Sequence, residues 1–114
     1  MAQQLGSLGY RVQTAPDAVV ALDILNGSPV ELAVLDYEMP GLNGVELFRL
    51  ARQINPQLAG IFVTGHARLD TVYSAIDAGM FRVLGKPVDF TELAMVIEDC
   101  LNQSYGDGNL AERE

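Results

Sequence analysis

The chain has 114 residues, enough for one domain of ordinary size, and 49% are hydrophobic, enough to build a core. Only 19% are charged and the net charge is −8, which argues against a disordered chain and against direct nucleic-acid binding, where clustered Lys and Arg are needed. One cysteine (Cys100) and one histidine (His66) exclude an internal disulfide and a multi-histidine metal site.

The longest apolar runs are five residues, far below the roughly 20 that cross a bilayer. The N-terminus has no basic patch leading into an apolar stretch, so no secretory signal is read there, and no membrane partner is expected. A reducing cytoplasm is the expected setting.

Short β-type runs alternate with helical patterns in chain order. Residues 11–15, RVQTA, predict a short strand. Residues 17–25 predict a helix with Ala18, Ala21, Leu22 and Leu25 on one face, Pro16 in its first turn and Asn26-Gly27 at its end. Residues 31–35, ELAVL, are apolar after Glu31, the pattern of a strand buried on both faces of a parallel sheet. The turn-rich MPGLNG, residues 39–44, precedes a helix over 45–54 with Leu47, Leu50, Ala51 and Ile54 inward.

Residues 60–64, GIFVT, predict the next strand. A helix over 70–78 follows, facing inward through Val72, Ala75 and Ile76 and closed by Gly79. Residues 81–85, FRVLG, predict a strand leading to Lys86-Pro87. Asp89 and Glu92 form a capping-box-like start to a last helix with Phe90, Leu93, Val96, Ile97 and Leu101 inward. The domain is expected over 1–104, with a polar tail over 105–114. The order is β-α-β-α-β-α-β-α: an α/β fold with four parallel strands and helices on both faces.

In such sheets ligands bind beyond the carboxyl ends of the strands. Asp36 follows ELAVL, Thr64 ends GIFVT and Lys86 follows FRVLG. A carboxylate, a hydroxyl and an ammonium at one sheet edge are the three groups a phosphoryl site needs. The carboxylate is a nucleophile able to form an acyl phosphate. The other two donate to the equatorial oxygens that carry charge during transfer. No G-x-G-x-x-G or P-loop string points to a nucleotide or flavin binder instead.

LDYEMPGLNGVEL (35–47), FVTGHA (62–67), AGMFRVLGKPVDFTEL (78–93) and GYRVQTAPDAVVALDIL (9–25) together resemble the receiver domain of two-component response regulators. The resemblance runs from about residue 5 to residue 102. It implies a flavodoxin-like fold and a signalling module rather than an enzyme. The partner would be a sensor histidine kinase or phosphotransfer protein.

By the resemblance Asp36 is the phosphoacceptor, Thr64 the switch hydroxyl and Lys86 the phosphate-binding lysine. Gly65 leaves room for the phosphoryl group, and Lys86-Pro87 is the cis-peptide candidate. The implied cofactor is Mg²⁺, held by Asp36 and the backbone carbonyl of Glu38. The family's switch aromatic falls at Val83, where Phe81, an even step away on the same face, is a possible substitute.

The chain departs from the family at its start. MAQQLGSL resembles only the last two turns of the first helix, with Leu5 and Leu8 inward, and roughly 20 residues carrying the first strand and its acidic pair are absent. An incomplete Mg²⁺ site and weak or absent metal binding are expected. So is a homo-oligomer that covers the missing strand, because unpaired buried backbone groups cost about 1–3 kcal/mol each. A phosphorylation-incompetent pseudo-receiver, acting as a binding or dimerisation adaptor, is the alternative function.

Overall fold

The computed structural model describes residues 2–37, 42–65 and 69–105. In chain order they form α1 (Ala2–Ser7), α2 (Ala18–Gly27), β1 (Leu32–Asp36), α3 (Gly44–Ile54), β2 (Ala59–Thr64), α4 (Leu69–Asp77), β3 (Arg82–Gly85) and α5 (Phe90–Tyr105). The strands form one parallel sheet in the order β1-β2-β3.

The strands alternate their side chains between two cores. On one face Phe62 joins Val45, Phe48 and Ala51 of α3 and Ala75 of α4, with Leu25 of α2 packed alongside. On the other, Ile61 and Leu84 join Leu93, Val96 and Ile97 of α5 and Leu5 of α1. Helices therefore cover both faces of the sheet, as the alternating pattern predicts. None of the described helices is long and apolar enough to cross a membrane.

Local chemistry sets the helix starts. Asp17 caps α2 by accepting from Val20 N at 3.0 Å, so Pro16 precedes the cap instead of lying in the first turn. Asn43 and Glu46 close a complete capping box on α3, which the pattern reading above does not identify. Asp89 Oδ1 accepts from Thr91 N and Glu92 N at the head of α5. Gly79, at φ 93°, ends the α4 turn as expected.

The sheet has three strands among the described residues, not four. Residues 11–15 form no strand, and Arg11 to Thr14 are exposed. With one large apolar side chain in RVQTA and no neighbouring strand, nothing offsets the entropy of ordering it. β1 is consequently an edge, half-buried at all five positions instead of enclosed on both faces.

Several inward assignments also change. Leu8 lies in the turn after α1 and is exposed. On α3 the buried row is Gly44, Leu47, Phe48 and Ala51, flanked by Val45, because the helix turns its aromatic residue onto the sheet; Leu50 and Ile54 lie outward. On α4 Thr71 and Ala75 face in and Ile76, a helical step of about 100° from Ala75, faces out. Phe81 precedes β3 and packs with the α5 cluster, whereas Val83 packs with the α3 cluster, so the two do not share a face.

Candidate functional site

β1 and β2 end at Asp36 and Thr64, and Lys86 follows directly on Gly85, the last residue of β3. Asp36 stands opposite Val63, and Thr64 stands opposite Gly85. One edge of the sheet thus gathers the three residues read from the sequence.

Lys86 Nζ donates to Asp36 Oδ2 at 2.6 Å, with the two side chains 40% and 43% exposed. A pair this short is a charge-assisted hydrogen bond as well as an ion pair. Lys86 N also donates to Thr64 O at 2.8 Å, which ties the chain after β3 to the end of β2. Thr64 is fully buried between two solvent-facing charges. Gly85 opposite it adds no bulk, and a Cβ there would meet nothing within 4 Å.

Gly65 follows Thr64 and is exposed. The Lys86–Pro87 peptide bond is cis. Glu38 lies outside the described residues, as do His66 and the tail from 106 onward.

The main chain next to Asp36 is held from two sides. Tyr37 N donates to Val63 O at 2.9 Å, and Tyr37 O accepts from Gly44 N at 3.1 Å. The Tyr37 ring meets Phe62 edge-on, with centroids 5.9 Å apart. Tyr37, Phe62 and Gly44 are the residues of this region that the sequence reading assigns no part in the site. The Asn43-x-x-Glu46 signature marks the helix start beside Gly44 but carries no sign of the contact with Tyr37 and Phe62.

A divalent cation such as Mg²⁺ takes oxygen ligands, with one or two carboxylates completed by phosphate and water. At the three strand ends Asp36 supplies the only carboxylate, and one of its oxygens is bonded to Lys86. Among the described residues no group of three or more His, Cys, Asp or Glu is gathered. These residues alone do not make a cation site.

A family model for the response regulator receiver domain matches residues 1–98. The chain is 35% identical over 101 residues to the transcriptional regulatory protein GlrR of Escherichia coli K12, covering 89% of this chain and 23% of that protein. It is 38% identical over 88 residues to the sensor histidine kinase RcsC of Escherichia coli, covering 77% of this chain and 9% of the kinase. The chain therefore spans a quarter or less of the length of these relatives.

Among solved structures, a CheY-like receiver domain protein from Methanospirillum hungatei superposes with a TM-score of 0.87 at 30% identity, covering 93% of this chain and 85% of that one. The receiver domain of NtrX from Brucella abortus gives 0.82 at 31% identity, covering 89% and 86%.

Proposed function

Because this chain belongs to the response regulator receiver domain family, a family of two-component signalling modules, we propose that Asp36 takes a phosphoryl group from the phosphohistidine of a sensor kinase or phosphotransfer protein. The observation that carries this reading is the 2.6 Å contact between Lys86 Nζ and Asp36 Oδ2 at the strand edge that also ends in Thr64. A carboxylate oxygen of Asp36 attacks phosphorus, the phosphorus–nitrogen bond breaks, and the electron pair leaves with the imidazole. In this reading Lys86 and the Thr64 hydroxyl donate to the phosphoryl oxygens where negative charge gathers, and the ammonium offsets it. The acyl phosphate on Asp36 replaces the carboxylate charge that Lys86 now holds with the larger negative charge of the phosphoryl group. That change shifts the equilibrium of the face formed by α4, β3 and α5.

Val83 occupies the position of the family's switch aromatic, and Phe81 packs on the opposite side of the sheet. The proposed output therefore runs through Thr64 and Lys86 without an aromatic relay. Receiver domains usually bind Mg²⁺, which neutralises phosphoryl charge when bound. With one carboxylate among the described strand ends, that help is weak here and transfer is slow.

The same observation favours a second reading, a pseudo-receiver adaptor that keeps the fold without the chemistry. In both readings a second copy pairs along the outer edge of β1. Incubation with acetyl phosphate and Mg²⁺ followed by mass spectrometry separates the two. A phosphoryl adduct that disappears in Asp36→Asn supports the first; no adduct at any concentration leaves the adaptor.

A further inference from the structure

We propose that Gly44 is a positioning residue for Asp36, holding the end of β1 against the first turn of α3 at a separation that no larger residue permits. The inference rests on the reading of Asp36 and Lys86 as the working pair.

Gly44 is buried and begins α3. A Cβ at this position would lie 3.0 Å from the Asp36 main-chain oxygen, 3.1 Å from Tyr37 Cα and 2.9 Å from Phe62 Cε1. Two of these three atoms are backbone of the phosphoacceptor strand end, and the third belongs to a fully buried ring. None is the free end of a flexible side chain, so the buried ring and the strand end must give by a few tenths of an ångström to admit a Cβ. The contact is also bonded, since Gly44 N donates to Tyr37 O at 3.1 Å. The Asn43–Glu46 capping box fixes the helix turn that presents this N–H.

On its other side the strand end is fixed by Tyr37 N donating to Val63 O. Asp36 therefore projects from a backbone gripped by β2 and by α3, and its carboxylate meets Lys86 because that grip holds. Gly60 provides the contrast. A Cβ there would meet Phe48 Cε1 at 2.6 Å and the flexible side chain of Met80, in the same core but at the start of β2, facing Ala33 and not Asp36. Crowding at Gly60 strains the core; crowding at Gly44 moves the nucleophile.

Lys86 is the only lysine in the chain, so its amine can be followed alone. The full chain and its variants are treated with acetic anhydride, and acetylation of Lys86 is timed by peptide mass spectrometry. The bond from Lys86 Nζ to Asp36 Oδ2 engages the amine, so Asp36→Asn sets the rate of a lysine without that bond. Gly44→Ala is expected to raise the rate several-fold toward that limit, and Gly60→Ala to leave it near the parent value. Should Gly44→Ala fail to fold, Asn43→Ala, which loosens the same turn without adding atoms, is expected to raise the rate in the same direction.

A parent-like rate in a folded Gly44→Ala, or an equal rise in Gly60→Ala, overturns the proposal. So does a parent-like rate in Asn43→Ala. Where acetyl phosphate modifies Asp36, Gly44→Ala is expected to slow that reaction several-fold, below the roughly 100-fold of a full ångström misplacement. Lysine reactivity requires no phosphoryl transfer, so failure of the phosphoacceptor reading leaves this result separately readable.

Discussion

Lys86 reaches Asp36 over the end of a strand that lies between them. Asp36 ends β1, Lys86 follows β3, and β2 separates the two, yet Nζ and Oδ2 are 2.6 Å apart. Two strand steps of about 4.8 Å put the backbones roughly 10 Å apart, a gap bridged largely by the lysine stem. The ion pair therefore spans the end of β2, where Thr64 stands.

Because both partners of that pair are about two-fifths exposed, its worth to folding is small. Lys86→Met is expected to change the unfolding free energy by less than about 1 kcal/mol in urea titration. The same substitution is expected to slow phosphoryl adduct formation at Asp36 by roughly 100-fold, the scale of losing one charge-stabilising donor. A large stability loss with unchanged reactivity would assign Lys86 a structural task instead.

Thr64 separates shape from chemistry. It is fully buried, and valine matches its shape without the hydroxyl. Thr64→Val is expected to slow acyl phosphate formation between about ten- and a hundredfold, as for a lost hydrogen bond to a charged group. Thr64→Ser keeps the oxygen and removes a methyl; it is expected to cost about 1 kcal/mol in thermal unfolding and retain most of the reactivity. Equal rates in the two variants would remove the hydroxyl from the mechanism.

The rotation of α3 predicts a contrast within one helix. Phe48 is fully buried among Phe62, Leu58 and Met80, whereas Leu50 is 39% exposed. Phe48→Ala is expected to cost about 3–5 kcal/mol. Leu50→Ala is expected to cost well under half of that, close to a surface substitution. Chemical denaturation of the two variants checks the orientation directly.

That contrast also marks what the sequence disclosed. Leu47, Leu50, Ala51 and Ile54 satisfy a helical period as well as Gly44, Leu47, Phe48 and Ala51 do, and periodicity alone does not choose between stripes one step apart. The sheet chose, because burying the Phe48 ring outweighs burying Leu50. The strand ends were easier to read: Asp36, Thr64 and Lys86 each follow a short apolar run, and parallel pairing brings such ends to one edge. The RVQTA strand failed for the opposite reason. Its alternation was local, but a strand exists only with a neighbour to bond to, and β1 is the edge of the described sheet. Gly44 escaped notice because close approach between distant segments leaves no periodic trace.

The edge of β1 yields the last prediction. Ala59 N bonds to Glu31 O and Tyr37 N to Val63 O, so the odd-numbered residues from 31 to 37 turn their backbone groups toward β2. Alternation then turns those of Leu32 and Val34 to the other side, where no strand of the described sheet lies. Such an edge is a template for another chain. Self-association is expected to appear in light scattering as concentration rises. It should strengthen with added salt, because repulsion between copies of net charge −8 is screened. Val34→Pro removes one outward N–H without touching a bond to β2, and proline suits an edge strand. It is expected to abolish association while the chain stays folded by circular dichroism. Association that survives Val34→Pro at the parent's strength would place the contact elsewhere, and a parent that remains monomeric at every concentration would remove the edge as a self-pairing surface.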